Sequence, residues 1–487
     1  MWSQAASATG PAFVSVHVHS GAKHAKNPPA KRSGTIRVRN QSTSGPAVRI
    51  KVRRWSLKTF QEYRLTLRSG SSKRLTVKAG TYTVDADPVR DRVVRVNSGP
   101  LSVKAGRSAK VSVEILPARL RTAGAPSQVR TFPEPTDCQA DTRQPDWGTP
   151  VIESPSGRVV WILSPSCGDG SLAKVWIRQL GSDTSREEAI DLGAATRVQQ
   201  PKLPWDPSSG QFPEIPSIWA TDMWGELPPD AEWSPRGERL ALSWPTATSN
   251  ATLVVGPTGL TLLPGYMSTF RTDAELLVGD QRSTAAGGFV TYNLDGAAPS
   301  FQGVPTAKEV IVGLPSYSSK GDLAMCRGYW YGTLSNQVWI YRPSQGTLEL
   351  TPIPCRNAAQ TGGFIQHPRA HPRWSPDGRF IAYDTQFIYD TQKHSLLVTP
   401  DGQDSMASGW SSNGTLAYGA NRSHGGVTTV APGRATNTLV VRADGSALWS
   451  VPSQNPDGDT CGWLDSQLTC LSRQSDGKYT ENSIPLP

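Results

Sequence analysis

The sequence predicts an all-β protein: an N-terminal β-sandwich of the immunoglobulin or prealbumin-like kind, then a β-propeller of seven blades, with six as the alternative. Three observations predict it. A strand-turn-strand signal recurs through residues 149–487. Residues 9–118 alternate apolar and polar side chains with a period of two. The composition, with 45 Gly, 40 Pro and only 18% charged residues, favours turn-rich sheet over helix, and no stretch sustains a helical hydrophobic period.

The recurring signal is clearest at His371–Asp384, HPRWSPDGRFIAYD. Pro376 presets φ for a turn, Asp377 and Gly378 tolerate positive φ, and Phe380–Tyr383 reads as a buried strand. Further copies are anchored at Ser154, Ser234, Ser318 and Ser411, and degenerate ones at Arg271 and Leu464. The shortest steps between anchors are 37 and 36 residues. A repeat of about 40 residues holding several short strands is the mark of a propeller blade. Second strands follow most anchors, as at Lys174–Gln179, Gly288–Asn293, Gln337–Tyr341, Ser395–Thr399 and Thr438–Arg442.

The N-terminal strands include Phe13–Val18, Thr35–Arg39, Val48–Val52, Tyr63–Leu67, Tyr82–Asp85 and Ala109–Val113. Residues 119–148, with Pro126, Pro133, Pro135 and Pro145, read as a linker. Gln128–Phe132 within it is a candidate strand for closing the ring from the other end of the chain.

Six cysteines allow fifteen pairings. The repeat map selects Cys461–Cys470, which flank one hairpin, Cys326–Cys355, within one blade, and Cys138–Cys167, which bracket the start of the first blade; six buried thiols are the alternative. Disulfides imply export. The chain opens without a charged n-region or apolar h-region, although Ala6-Ser7-Ala8 has the form of a signal-peptidase site. The expectation is a secreted or envelope protein whose signal lies upstream of this start. No apolar window of membrane-spanning length exists, so no transmembrane segment is expected.

Charge divides the chain. Residues 1–120 hold 23 Lys and Arg against 5 Asp and Glu, a net +18, whereas the remainder carries −8. In runs such as Arg49–Trp55, RIKVRRW, basic residues alternate with apolar ones, so one sheet face should be densely cationic. Either that face is simply solvated, or it attracts a polyanion such as an acidic cell-wall polymer. Few aromatics accompany the basic residues, so nucleic acid is not the expected partner.

Insertions extend the repeats: roughly 195–230 with Trp205, Trp219 and Trp224; 327–336 with Tyr329, Trp330 and Tyr331; 355–371; and 422–438, beginning at Arg422. Aromatic loops on a rigid ring suit recognition of a sugar or peptide, so these seven residues are the candidate ligand contacts. Packing between blades is the alternative role of the tryptophans.

WSPDGRFIAYD followed by LLVTPDG resembles the repeat of TolB-like propellers, over roughly residues 148–487. That resemblance implies the propeller fold, and it implies functions as varied as interaction hubs, peptidases and metal-dependent polysaccharide lyases. The run Ala79–Val84, AGTYTV, is similar to a turn of prealbumin-like and CnaB-type domains. In the lyases of the propeller family a metal is held through His and Gln, and Gln366, His367 and His371 could be read that way. Otherwise the chemistry is sparse. There is no GxSxG elbow, HExxH or calcium-loop motif, no catalytic residue stands out, and no cofactor is expected. The expectation is a non-enzymatic binding or scaffold protein recognising a protein or glycan through a propeller face. A carbohydrate-active enzyme and polyanion binding by the basic domain are the alternatives.

Overall fold

The structure is a computed structural model. It describes residues 33–55 and 61–132 and, in the repeat region, 152–153, 158–163, 173–179, 185–190, 195–198, 230–245, 250–265, 267–279, 288–305, 310–311, 315–328, 336–355, 372–383, 386–400, 405–411, 413–414, 416–421, 437–452, 460–464, 467–473 and 479–486. Every regular element among the described residues is a strand. The strand expected at Phe13–Val18 lies outside them.

Eight strands build the N-terminal region: β1 (Ser33–Asn40), β2 (Val48–Trp55), β3 (Gln61–Leu67), β4 (Ser72–Lys78), β5 (Gly80–Ala86), β6 (Arg92–Asn97), β7 (Leu101–Val103) and β8 (Ser108–Thr122). They form two sheets, ordered β4-β1-β8-β6 and β3-β2-β5-β7. Period-two alternation puts Ile36, Val38, Ile50, Val52, Val84, Val96, Val111 and Val113 in the shared core. Tyr82 joins them with its hydroxyl donating to the Lys78 carbonyl at 2.7 Å; burial pushes its phenol up to about 12.

In the repeat region a sheet is built around each anchor. The first runs through Ile152–Glu153, Arg158–Leu163, Ala173–Gln179 and Ser185–Ile190, all antiparallel. Comparable sheets follow the anchors at Ser234, Arg271, Ser318, Ser375, Ser411 and Leu464. Their innermost strands touch in sequence through the sixth; the seventh, Thr460–Leu464, packs on the second strand of the sixth and meets the first, Ile152–Glu153. The sheets are therefore blades of a propeller, seven among the described residues.

The anchor residues do structural work. The Ser375 hydroxyl accepts from the backbone N–H of Phe380 at 2.9 Å and donates to Asp377 at 2.5 Å. Gly378 takes φ +65°, where a side chain is disfavoured. The indole N–H of Trp374 donates to the Ser316 carbonyl at 3.0 Å, and that of Trp410 to the Arg373 carbonyl at 2.9 Å. Each Trp thus pins its blade to the inner strand of the preceding one.

The candidate closing strand Gln128–Phe132 belongs to β9 (Ser127–Phe132), which pairs antiparallel with Tyr479–Ile484 as the outer strand of the last blade. The register slips so that Gln128 and Arg130 are paired while Val129 is passed over, leaving Val129 49% exposed. Such a bulge turns an edge strand away from further pairing.

The sandwich is not a detached domain ending at 118. β8 runs on to Thr122, and its Leu120–Thr122 pair in parallel with Leu448–Ser450, in the outer strand of the sixth blade. β6 pairs antiparallel with Ser395–Val398, the outer strand of the fifth. One sheet therefore passes from blade five through β6 and β8 into blade six. The physical reason is backbone satisfaction: two outer blade strands and two sandwich strands each leave a row of N–H and C=O groups to be paired. Side chains follow the backbone. Val93 and Leu116 pack among Ile388, Leu397, Leu439 and Leu448, while the sandwich core runs on into that of blades four and five. The region expected as a linker from 119 thus opens inside a strand.

Candidate polyanion-binding face

The sheet β4-β1-β8-β6 turns its polar side outward. Register places Arg37 directly opposite Arg74 on β4 and Lys110 on β8. All three are exposed, as is Arg39, two residues along, whose strand partners are Ser72 and Ser112. Adjacent strands lie about 4.8 Å apart, so the row of three cations spans about 10 Å. Like charges directly opposite one another in a sheet are unfavourable, yet among the described residues no ion pair with a carboxylate relieves these. The five carboxylates of residues 1–120 are engaged with other cations: Glu62 with Arg53 and Arg64, Asp85 with Arg53, Asp87 with Lys51, Asp91 with Arg90 at 3.7 Å and, farther along the same face, Glu114 with Arg95 at 3.6 Å. Hydroxyls of Thr35, Ser72, Thr76, Ser108 and Ser112 share the face by strand alternation. The result is a flat cationic surface edged by hydroxyl donors.

The other sheet carries the same kind of sequence to a different end. Arg53 on β2 bonds Glu62 through Nε at 2.8 Å and Asp85 through Nη1, and Arg64 bonds Glu62 at 2.6 Å. Burial opposes the charge on Arg53, but Asp85 and Glu62 together raise its pKa above the ordinary value. Burial also pushes Glu62 up, and Arg64 and Arg53 more than reverse this, leaving it below the usual range. At Asp85, 3% exposed, burial wins over Arg53 and Lys51 and the carboxyl is held high. This network lies where the sandwich meets blade four: Gln337 Nε2 donates to Thr83 Oγ1 at 2.6 Å, and the rings of Trp55 and Trp339 meet edge to face at 5.1 Å.

That seam gathers unpartnered polar atoms. Both amide atoms of Asn336, Gln337 Oε1, Trp339 Nε1 and Asp85 Oδ1 are buried without a hydrogen-bond partner. Each such group costs about 1–3 kcal/mol. Arg327 lies beside them, with its guanidinium carbon 5.2 Å from the Trp339 ring. The central channel holds a different pair. Arg373, on the inner strand of blade five, reaches Glu232 on that of blade two at 3.7 Å. Blades two and five are not neighbours, so this pair bridges the middle of the ring. Glu232 also accepts from Thr269 Oγ1 at 3.0 Å and from the Phe270 backbone at 3.2 Å.

Trp205, Trp219, Trp224, Tyr329, Trp330, Tyr331 and Arg422 lie outside the described residues, as do Gln366, His367, His371, Cys138 and Cys167. Gly328 and Asn336, which bracket the Tyr329–Tyr331 run in the chain, are placed at the seam end of blade four. Cys326–Cys355 and Cys461–Cys470 are disulfide-bonded. Among the described residues no group of three or more His, Cys, Asp or Glu is placed to hold a metal, and no helix is long and apolar enough to cross a membrane. Sequence reasoning missed the Arg373–Glu232 bridge. The only signal was a charged residue directly before the anchor Trp in two of the copies.

No family model and no curated protein matches the chain. Solved structures with a similar fold include an oligogalacturonate lyase in complex with manganese, at 10% identity and a TM-score of 0.41, covering 74% of this chain and 98% of that one. The β-propeller domain of Myceliophteria thermophila Cps50 (Swd1) is similar at 10% identity and TM-score 0.40, covering 73% and 99%. The β-propeller domain of the Trilobed protease from Pyrococcus furiosus is similar at 10% and 0.37, covering 69% and 97%. At such identity these likenesses carry nothing about chemistry, and the assignment of the chain to the β-propeller fold rests on its own sheet topology.

Proposed function

We propose that this is a non-enzymatic, extracellular or envelope-exposed binding protein. Its propeller is a scaffold, and its basic sheet face docks onto an acidic cell-surface polymer. One observation carries the reading: Arg74, Arg37 and Lys110 stand in one exposed cross-strand row while each carboxylate of residues 1–120 is paired with another cation. A row of like charges held at the expense of stability is the pattern of a site kept for a ligand of opposite charge. Guanidinium groups also suit phosphate and carboxylate oxygens, which they can bind bidentately. The two disulfides favour an oxidising compartment.

The test is a titration of the whole protein with polyglycerol-phosphate polymer across salt concentrations. By analogy with phosphate contacts on nucleic acid, four such contacts give about a 10²-fold loss of affinity between 50 and 200 mM salt. Reversing three charges together (Arg37→Glu, Arg74→Glu, Lys110→Glu) should remove most of the affinity and flatten the salt dependence while leaving Tm unchanged or slightly raised. Salt-independent binding, or full binding by the triple variant, would overturn the reading. Comparable affinity for single-stranded DNA would show a surface that selects charge and not polymer.

A further inference from the structure

The basic sheet ends at β4, which pairs with β1 and with no other strand among the described residues. The Asn40 N–H donates to the Ser71 carbonyl at 2.9 Å, while the Thr35 N–H donates at 2.9 Å to the carbonyl of Arg107, just before β8. Even-numbered residues of β1 therefore turn their backbone toward β4, where register sets them against Lys73, Leu75 and Val77. The N–H and C=O groups of Ser72, Arg74 and Thr76 then point the other way, along the open edge, and no group among the described residues bonds them. The Lys78 N–H points the same way, and the Lys78 carbonyl accepts from the Tyr82 hydroxyl. Natural sheets blunt such an edge by shortening, bulging or covering it. β7 has three residues and β9 carries a bulge, but β4 runs for seven residues in unbroken register.

We infer that the open edge of β4 captures an extended acidic peptide, which adds to the sheet as a strand antiparallel to β4. Backbone pairing supplies the attachment, as in strand addition generally, and antiparallel pairing is the stronger kind. Charge selects the occupant. Arg74 ends the row formed with Arg37 and Lys110, and Lys78 follows on the same face by alternation. An added strand sets every second side chain opposite Ser72, Arg74, Thr76 and Lys78, where carboxylates meet cations and hydroxyls. The side chains between fall opposite Leu75 and Val77. Leu75 packs on the sandwich core and is only partly buried, so small apolar residues fit there. A second copy of this chain is a poor occupant, because pairing edge to edge crowds two sets of Lys73, Arg74 and Lys78 together. The charges that oppose self-association thus favour a strand of opposite charge.

The experiment titrates the whole protein with a fluorescent, capped peptide of alternating glutamate and valine, read by anisotropy and by hydrogen–deuterium exchange over β4. In the antiparallel pairing the glutamates turn their N–H groups to the carbonyls of Ser72, Arg74 and Thr76, and the valines turn theirs away. A peptide N-methylated at its glutamates should therefore lose about 10²-fold in affinity, for three backbone hydrogen bonds, and one N-methylated at its valines should keep it. Replacing glutamate by lysine should cost about tenfold or more. The amides of Arg74 and Thr76 should exchange fast in the free protein and slowly in the complex. Thr76→Pro removes one outward N–H where an edge strand tolerates proline, and should also weaken the peptide; if that variant does not fold, the N-methylated peptides decide on the wild type. Equal affinity of the two N-methylated peptides would overturn the proposal, since acidic side chains held on the basic face alone ignore backbone methylation. So would no binding of the unmodified peptide, or slow exchange of these amides in the free protein, which would mean that another segment of this chain or a second copy already covers the edge.

Discussion

The two sheets of the sandwich begin from nearly the same sequence. β1 carries TIRVRN and β2 carries VRIKVRR, each a basic residue at every second position with valine or isoleucine between. On β2 the cations are spent inside the protein: Arg53 and Lys51 meet Glu62, Asp85 and Asp87 against blade four. On β1 they stand exposed beside other cations and hydroxyl side chains, with no carboxylate partner among the described residues. The difference lies in the neighbours, because strand alternation sets which way a side chain points but not what waits there. Cationic density is thus a structural device on one sheet and a binding surface on the other.

The sharpest way to break that contrast is to remove a cation from the paired sheet. Arg53→Met leaves Asp85 and Glu62 buried without their guanidinium and should cost about 3–5 kcal/mol, read as a fall in the denaturant midpoint. A loss below 1 kcal/mol would mean that the network is no more than a surface ion pair.

Acid should separate the sheets next. Glu62 has its pKa lowered in the folded state, with burial opposing and Arg64 and Arg53 prevailing. The stability it contributes is therefore present above the ordinary carboxylate value of about 4.3 and is lost as pH falls through the lower folded value. The Tm of the wild type should drop toward that of Glu62→Gln over this window, and a gap between the two that is constant with pH would refute the assignment. Arg37 and Arg74 have no such partner, so Arg37→Gln should show no comparable acid dependence.

The smallest effect has the opposite sign. Arg74→Thr relieves a direct cross-strand repulsion with Arg37 and should stabilise the protein by about 0.2–1 kcal/mol while weakening polymer binding. Destabilisation would show that Arg74 has a packing role.

Much of the propeller was legible because its signal is local. WSPDG writes its own turn in the Ser375, Asp377 and Gly378 interactions, and its Trp needs only the preceding blade. The charge division of the chain was equally plain. What could not be read is whatever depends on distant partners. Nothing near Arg53 announces Asp85, and nothing in RVVRVN announces that Val94–Asn97 will pair with Ser395–Val398. For the same reason the sandwich looked like a separate unit followed by a linker: β8 carries no mark at residue 118 to say that it continues into a blade. The unpartnered seam atoms are harder still, since Asn336 and Gln337 look like ordinary loop-end residues until the sandwich covers them.

The strand pairing between sandwich and ring also fixes an order of events in time. β6 and β8 are made early, but their outer partners follow roughly 300 residues later, which at about 5–20 residues per second is a delay of about 15–60 s. Through that interval the N-terminal region keeps an open backbone edge, the kind of surface on which nascent chains stick to one another. Arg92 and Arg95 on β6 lie along that edge, where charge discourages such encounters. β9 waits longer still, because its partner Tyr479–Ile484 follows roughly 350 residues later. Closure of this ring is therefore a slow event: its earlier-made strands are held in reserve until the last blade can receive them.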